Sequence, residues 1–401
     1  MGGVALAGLA ARVAFAAWFS PLLLGDASHN VFLAQNIWAG RGYSSCTQPP
    51  FNLNGNRPPG YALLLAPLTG LFDSPEHVVP WLQMLMDAAV AVMVARLVAR
   101  RHGHWAGIAA AACWWLSPVS IAFSSQLLSS TFAALLVTLL LRELDRDPVR
   151  PLAVGVTAGG AALTVSALAP TAALLVLMAR SRFSRRGLGL ALAAMGLMLA
   201  VWGVRNLQAG GRFTPLTLVS SGGPLYASME EDGVEDVVVR SAGVYDRWLE
   251  QWTPQGIALE RAMQLDGELR AVCVDEIAHR PRDHVERQAR QIWKAWTRPD
   301  GLVQNCRVDR AADVIRPVLP GVAAAWECAT LLLALIGLAR WRRQLLARQA
   351  AAAALLITLS YGFVRAETRY LVPALPALAV LVGLAVSAGE RDVATEPCQR
   401  T

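Results

Sequence analysis

The sequence predicts an all-α protein crossing a membrane about ten times, with a large first external loop and a small, mostly helical external segment. Three observations predict it. Of 401 residues, 55% are hydrophobic and only 16% are charged, against about a quarter charged in soluble domains, and mean hydropathy is +0.40. The apolar residues gather into runs near the ~20 residues that a span needs. The net charge of +7 comes almost wholly from arginine, Lys294 being the sole lysine, and the arginines cluster between alternate runs. Such a balance reads as loops held on the cytoplasmic side of a membrane, not as a nucleic-acid surface.

The runs are 4–24, 78–99, 105–123, 127–141, 152–166, 168–179, 187–204, 320–339, 349–364 and 370–388. The fifth and sixth are either two short helices broken near Ala169-Pro170 or one long kinked helix. The first run passes into Asp26 without an Ala-x-Ala site, and so reads as a retained span, not a cleaved signal. Arg96, Arg100 and Arg101 form one basic cluster, and Arg142, Arg146 and Arg150 a second. Arg180, Arg182, Arg185 and Arg186 form a third; Arg340, Arg342, Arg343 and Arg348 a fourth. With ten alternating spans and a cytoplasmic N-terminus, all four fall on one side. The expected division is a membrane module at 1–204 carrying the external loop 25–77, an external segment at 205–319, and C-terminal spans with a cytoplasmic tail at 320–401.

Both external stretches have patterns of their own. In the first, "NVFLAQNIW" (30–38) reads as a short amphipathic helix lying in the membrane interface. In the second, Val285, Ala289, Ile292, Trp293 and Trp296 recur at helical spacing after Pro281, which suits a helix start and a subdomain packing its own core. Cys46, Cys273 and Cys306 fall on the external side, where Cys273–Cys306 is the favoured disulfide with one cysteine left over. Cys113 and Cys328 read as small apolar fillers within spans. No Cys/His group has metal-ligand spacing, no glycine-rich phosphate loop follows a strand, and no internal repeat is visible. Neither a cofactor nor a metal is called for.

The polar residues that stand out lie at the external ends of the runs. Asp26 closes the first run. Arg57-Pro-Pro-Gly-Tyr61 puts an arginine on a stiff turn, a good anion contact. Trp202-Gly-Val-Arg205-Asn206 closes the seventh run, where snorkelling also accounts for an arginine. Arg365-Ala-Glu367-Thr-Arg369-Tyr370 precedes the last run, and its two arginines oppose the cytoplasmic bias. One aspartate and four arginines near membrane level suit a substrate with a lipid tail and a phosphate. Asp87, inside the second run, is costly there and calls for a partner or a cavity.

These residues also carry a family resemblance. An early Gly-Asp is followed by "AQNIWAGRGYSS", "NRPPGYALLLAP", "WLQMLMDAAVAVMVARLVARR", "WGVRNLQAGGRFTPLTLVSSGGPLY" and "ETRYLVPALPAL". The series resembles the GT-C superfamily of membrane glycosyltransferases, in the branch of bacterial dolichyl-phosphate-mannose protein mannosyltransferase-like and aminoarabinose-transferase-like proteins. The resemblance implies a GT-C-like fold in a bacterial inner membrane. It also implies a polyprenyl-phosphate-linked sugar as donor and a lipid, glycan or protein acceptor glycosylated on the periplasmic face. It puts the first-loop carboxylate at Asp26, the basic residue before Pro-Pro at Arg57 and the arginine before Asn at Arg205; with Asp26 as the catalytic residue, the substrate contacts expected from the whole sequence are Arg57, Tyr61, Arg205, Arg365, Glu367, Arg369 and Tyr370. Two departures stand out: Asp26 is followed by Ala27 where relatives place two acids, and Ser129-Ser130-Thr131 stands where relatives carry an acid. A metal site built of several carboxylates is therefore not expected.

The residues suit the chemistry independently. Sugar transfer from a phosphate passes through an oxocarbenium-like transition state. A carboxylate can take the acceptor proton, and arginines can hold the leaving phosphate. The alternatives are a transporter or flippase for a lipid-linked or anionic solute, and an inactive relative. A transporter calls for ionisable or broken-helix sites near mid-membrane, often in repeated halves; here the suggestive groups lie at one interface.

Overall fold

The computed structural model describes residues 2–219, 221–303, 306–308, 313–362 and 364–388; the expected cytoplasmic tail and Cys398 lie outside them. The first apolar run is helix α1 (Gly2–Trp18), ending in a short strand β1 (Phe19–Pro21). The opening loop holds α2 (Asp26–Trp38) and α3 (Gly60–Leu71). The next runs give α4 (Pro75–His102), α5 (His104–Trp115), α6 (Pro118–Ser124), α7 (Ser130–Asp145), α8 (Pro151–Thr164), α9 (Leu168–Met178) and α10 (Arg185–Gly210). Proline opens α4, α6 and α8, where its missing N–H costs nothing. Ser184 caps α10 by accepting from Gly187 N–H at 3.0 Å, and Gly211, at φ +67°, ends it in the left-handed conformation.

Among the described residues, five helices are individually long and apolar enough to cross a membrane: α4, α10, α16 (Leu319–Trp341), α17 (Leu345–Gly362) and the stretch Thr368–Val386. A sixth span forms if α5 and α6, bent by 54° at Ser117-Pro118, are taken together. Pro118 forces that break, and the Ser117 hydroxyl accepts from Ser120 N–H at 3.2 Å to cap the new helix. The remaining apolar runs are helical but shorter, so the count of about ten rests on run composition and not on helix length. The fifth and sixth runs are two helices, parted at residues 165–167, before Pro170 rather than at it.

The spans share one large core, running from Phe15 and Phe19 through Val90, Trp114, Leu140 and Leu175 to Leu378 and Leu381. Asp87 finds its partner inside it. Arg12, on α1, donates from Nε and Nη2 to Asp87 Oδ2 at 3.0 and 2.9 Å, and both side chains are fully buried. The same guanidinium donates to Trp115 O at 2.6 Å and Ser120 Oγ at 2.8 Å.

The 205–319 stretch continues α10 to Gly210 and then folds into α11 (Gly222–Glu231), α12 (Glu235–Arg240), α13 (Val244–Leu249), α14 (Leu259–His279) and α15 (Pro281–Thr297). Leu225, Met229, Trp248, Leu265, Leu269 and Cys273 form a separate core there. Strand β2 (Cys306–Val308) returns to pair antiparallel with β1, tying this stretch to the end of the first run. α18 (Thr368–Leu371) and α19 (Leu375–Val386) complete the chain.

Two expectations are corrected here. Cys273 and Cys306 are both free thiols, as are Cys46, Cys113 and Cys328: Cys273 packs in the 205–319 core, whereas Cys306 sits on β2 against the membrane helices. Helix α15 exists, but most of its apolar stripe faces outward, with Val285 65% and Trp293 70% exposed, while His284, Arg287, Gln288 and Gln291 are buried. The helix docks through its polar face because Gln291 bonds to Ser228 and Asp232 on the neighbouring segment. Helix α2, which covers the 30–38 stretch, packs against the rest of the protein through its polar side chains. Asn30 donates to Leu127 O at 3.3 Å, and Asn36 to Ser44 O and Cys46 O at 2.7 and 2.8 Å.

Candidate functional site

Asp26 is the first residue of α2, preceded by Gly25 at φ +50°, a conformation that favours glycine. The first-turn N–H groups and the helix dipole favour a carboxylate at that position. Arg57 reaches it from the other end of the opening loop. Asn54 Oδ1 accepts from the N–H groups of Asn56 and Arg57 at 3.0 and 3.1 Å. The Tyr43 hydroxyl lies 3.0 Å from the carbonyls of both Arg57 and Pro58. These bonds build a turn that Pro58-Pro59 stiffens, and Arg57 Nη2 donates from it to Asp26 Oδ1. The length of the loop thus has a structural use: it returns an arginine to the aspartate where it began.

The second partner comes from the far end of the chain. Arg369 Nη1 donates to Asp26 Oδ2 at 2.6 Å. Arg369 is held in turn by Glu367, whose Oε2 lies 2.6 Å from its Nε, and by the Tyr370 hydroxyl at 2.9 Å from its Nη2. Glu367 Oε1 lies 2.9 Å from Arg365 Nε, and Arg365 Nη2 reaches Glu231 at the end of α11. The result is an alternating ladder of charge, Arg57–Asp26–Arg369–Glu367–Arg365–Glu231. It joins the opening loop, the last span and the 205–319 stretch. Ser130 Oγ donates to Arg369 O at 2.9 Å, and Asp300 N–H to Thr368 Oγ1 at 3.0 Å, which fix the backbone of the 365–369 turn. Tyr370 stacks on Tyr361 with ring centroids 4.6 Å apart.

The electrostatics follow from this geometry. Burial alone would raise the Asp26 pKa, but the Arg57 and Arg369 guanidiniums hold it well below the usual carboxylate range. His29, one turn along α2, stacks on Trp252 at 4.3 Å. Burial and the nearby Arg57 charge lower its pKa to about 4, against the opposing pull of Asp26. At neutral pH the site therefore holds an ionised aspartate and a neutral imidazole.

A cavity of about 1060 Å³ opens beside the ladder. Arg365, Glu367 and Arg369 line it with Arg290 and Lys294 of α15 and Arg316, and so do Glu231, Asp232 and Asp300. Phe123, Leu128, Leu302 and Leu319 give it an apolar side. Asp26 lies behind Arg369.

Of the residues expected from sequence, Asp26, Arg57, Arg365, Glu367, Arg369 and Tyr370 come together. Two stand apart. Tyr61 is buried among Ala27, Val31 and Leu65, with its hydroxyl donating to Gln83 Oε1 at 2.7 Å. Arg205 lies over the Tyr43 and Trp202 rings and donates to Asn54 O at 3.2 Å. It braces the turn that presents Arg57 and is not part of the ladder. Glu231, His29, Trp252, Arg290, Lys294 and Arg316 were not singled out, and only the uniqueness of Lys294 marked any of them in the sequence. Among the described residues, no three His, Cys, Asp or Glu side chains are grouped to hold a metal ion.

A family model described as dolichyl-phosphate-mannose-protein mannosyltransferase matches residues 56–204. No curated protein matches the chain. Among solved structures, the apo oligosaccharyltransferase of Archaeoglobus fulgidus is similar over 95% of this chain and 49% of its own, at 15% identity and a TM-score of 0.54. The same organism's oligosaccharyltransferase AglB, in complex with an inhibitory peptide and a dolichol-phosphate, is similar over 95% of this chain and 50% of its own, at 14% identity and a TM-score of 0.51. A looser match, at a TM-score of 0.42 and 15% identity, is ArnT of Cupriavidus metallidurans bound to undecaprenyl phosphate, over 95% of this chain and 77% of that one. The chain spans about half the length of the archaeal enzymes. The chain has the helical membrane fold of the archaeal oligosaccharyltransferase, and within it residues 56–204 match the mannosyltransferase family model.

Proposed function

We propose that the protein is a membrane glycosyltransferase that moves a sugar from a polyprenyl-phosphate carrier to an acceptor hydroxyl at the external face of a bacterial inner membrane. The observation that carries this reading is the Asp26 carboxylate held between Arg57 and Arg369 beside a cavity lined by Arg290, Lys294, Arg316, Arg365 and Arg369, by carboxylates between them, and by apolar side chains. The archaeal enzyme that shares the fold binds a dolichol-phosphate, the class of lipid to which such a cavity is suited.

In this reading Arg369, Arg365 and Arg57 form the set that meets the donor phosphate, the first two from the cavity wall and Arg57 through Asp26, and Asp26 is the base. The acceptor oxygen attacks the anomeric carbon as its proton passes to Asp26. The bond from that carbon to the phosphate oxygen breaks, and the phosphate leaves with the electron pair, its charge met by the guanidiniums. Attack opposite the leaving group inverts the anomeric centre. Asp26 is ionised at neutral pH, though pairing with two guanidiniums weakens it as a base. A phosphate that draws on the Arg369 guanidinium from the cavity side loosens that pairing and restores part of its basicity.

The test is sugar transfer by purified Asp26→Asn against wild type at matched folding and donor binding. Loss of a general base lowers turnover by about 10²–10⁴-fold. Undiminished turnover removes Asp26 as the base and turns attention to the transporter and inactive-relative readings.

A further inference from the structure

Arg365 and Arg369 stand on the cavity wall, and one carboxylate pairs with the Nε edge of each by distance, without a hydrogen bond to either Nε–H among the described residues. The Glu367 carboxylate lies between them, one oxygen 2.9 Å from Arg365 Nε and the other 2.6 Å from Arg369 Nε. Two oxygens of one anion bridging two guanidiniums is the arrangement in which a phosphate would be held. The ladder from Arg57 to Glu231 has three arginines and three carboxylates, so it is balanced before any substrate enters. An anion that is to bridge the two Nε edges must take the place of the Glu367 carboxylate.

Which carboxylate yields is decided by position. Glu367 lines the cavity and Asp26 does not. Asp26 opens α2 and is held by the braced Arg57 turn, whereas Glu367 precedes the short helix α18 and lines the cavity. Gln126, 1% exposed, also lines this cavity and leaves its Oε1 without a partner among the described residues. Lys294, Arg290 and Arg316 in the lining supply positive charge for an incoming anion, offset in part by Asp232 and Asp300.

We propose that Glu367 is a built-in stand-in for the substrate's phosphate: it occupies the anion seat between Arg365 and Arg369 and must leave when a phosphate enters. This rests on the proposed function for the identity of the anion. It adds that the seat is closed by an internal competitor, so the site favours an anion able to bridge both guanidiniums over a singly contacting one. Glu367 is thus a specificity-determining residue and not a phosphate ligand.

The test is equilibrium binding of decyl phosphate and, separately, of inorganic phosphate to the full-length protein in neutral detergent, with no sugar present. In Glu367→Gln the competitor loses its charge but keeps its volume, and phosphate affinity rises by about tenfold or more, the range associated with one charge-assisted hydrogen bond. Glu367→Asp keeps the charge but is one methylene short of bridging both arginines, and gives a smaller rise; it carries the test if the glutamine variant does not fold. Tightening for decyl phosphate alone points to a lipid-borne phosphate, and tightening for both to the phosphate itself; either supports the stand-in. Affinity unchanged or weakened in the folded variants, for both probes, overturns it. Because no transfer is measured, this outcome is independent of whether Asp26→Asn retains turnover.

Discussion

The arginines at the site are not equivalent, and their individual bonds separate their roles. Arg57 and Arg369 touch Asp26 directly, whereas Arg205 reaches only Asn54 O and two aromatic rings. Arg57→Ala and Arg369→Ala should each weaken donor binding by roughly ten- to a hundredfold, the loss of about 1.5–3 kcal/mol for a charge-assisted hydrogen bond. Arg205→Ala should instead lower thermal stability and loosen the opening loop, with a smaller change in donor affinity. Donor titrations read beside melting curves distinguish the two outcomes. His29 sets a pH dependence of its own. Its folded pKa of about 4 lies below the ordinary 6.5, so between those values the unfolded chain binds more protons. Stability from this group is complete above pH 6.5, falls as pH drops towards 4, and falls no further below that. His284, its pKa also lowered by burial and by Arg287, adds to the same slope. Melting temperatures from pH 7.5 to 4 should therefore decline less steeply in His29→Gln than in wild type.

Among the elements, the buried Arg12–Asp87 pair joins α1 to α4 and, through Trp115 O and Ser120, to α5 and α6. The sequence made Asp87 legible as a group in need of a partner, because a carboxylate inside an apolar run is costly. It did not name the partner, since Arg12 sat unremarked within the first apolar run and only tertiary packing brings the two together. Removing one member leaves the other charged and buried. Asp87→Ala should cost about 3–5 kcal/mol, while replacing both by leucine or methionine should recover most of that loss. Reversible unfolding in mixed micelles measures both. A second element-level test lies at Gly337, where α16 meets α19. A Cβ there would stand 2.0 Å from Leu381 O, a backbone atom that cannot step aside. Gly337→Ala should push the two helices apart and lower the melting temperature by several degrees.

At the scale of the whole molecule, what was legible and what was not divides along physical lines. The apolar runs, the proline starts and the order of the motifs are local, and each run appears as helix. Asp26, Arg57 and the 365–370 turn were picked out because charge at a span end is conspicuous against an apolar background. The outward face of α15, the free thiols of Cys273 and Cys306, the β1–β2 pairing and Glu231 depend on which surfaces meet, and no local pattern specifies that. Legible too was the clustering of arginines, which bears on orientation. Arg101 pairs with Asp145 at 2.6 Å, and Arg182 donates to Leu144 O at 2.7 Å and Arg146 O at 3.0 Å, so three of the four clusters meet at one end of the bundle. Arg340 reaches Ala385 O at the end of α19, while Ser130, at the opposite end of α7, is bonded to the Arg369 backbone. The ladder and the basic clusters thus lie at opposite ends of the same helices. Cationic loops remain on the cytoplasmic side, so the ladder, the cavity and the 205–319 stretch should face outward. In a cysteine-free background, a membrane-impermeant thiol reagent applied to intact cells should label Glu235→Cys and spare Phe183→Cys. The reverse pattern would put the site in the cytoplasm, and with it any carrier-linked sugar the protein uses.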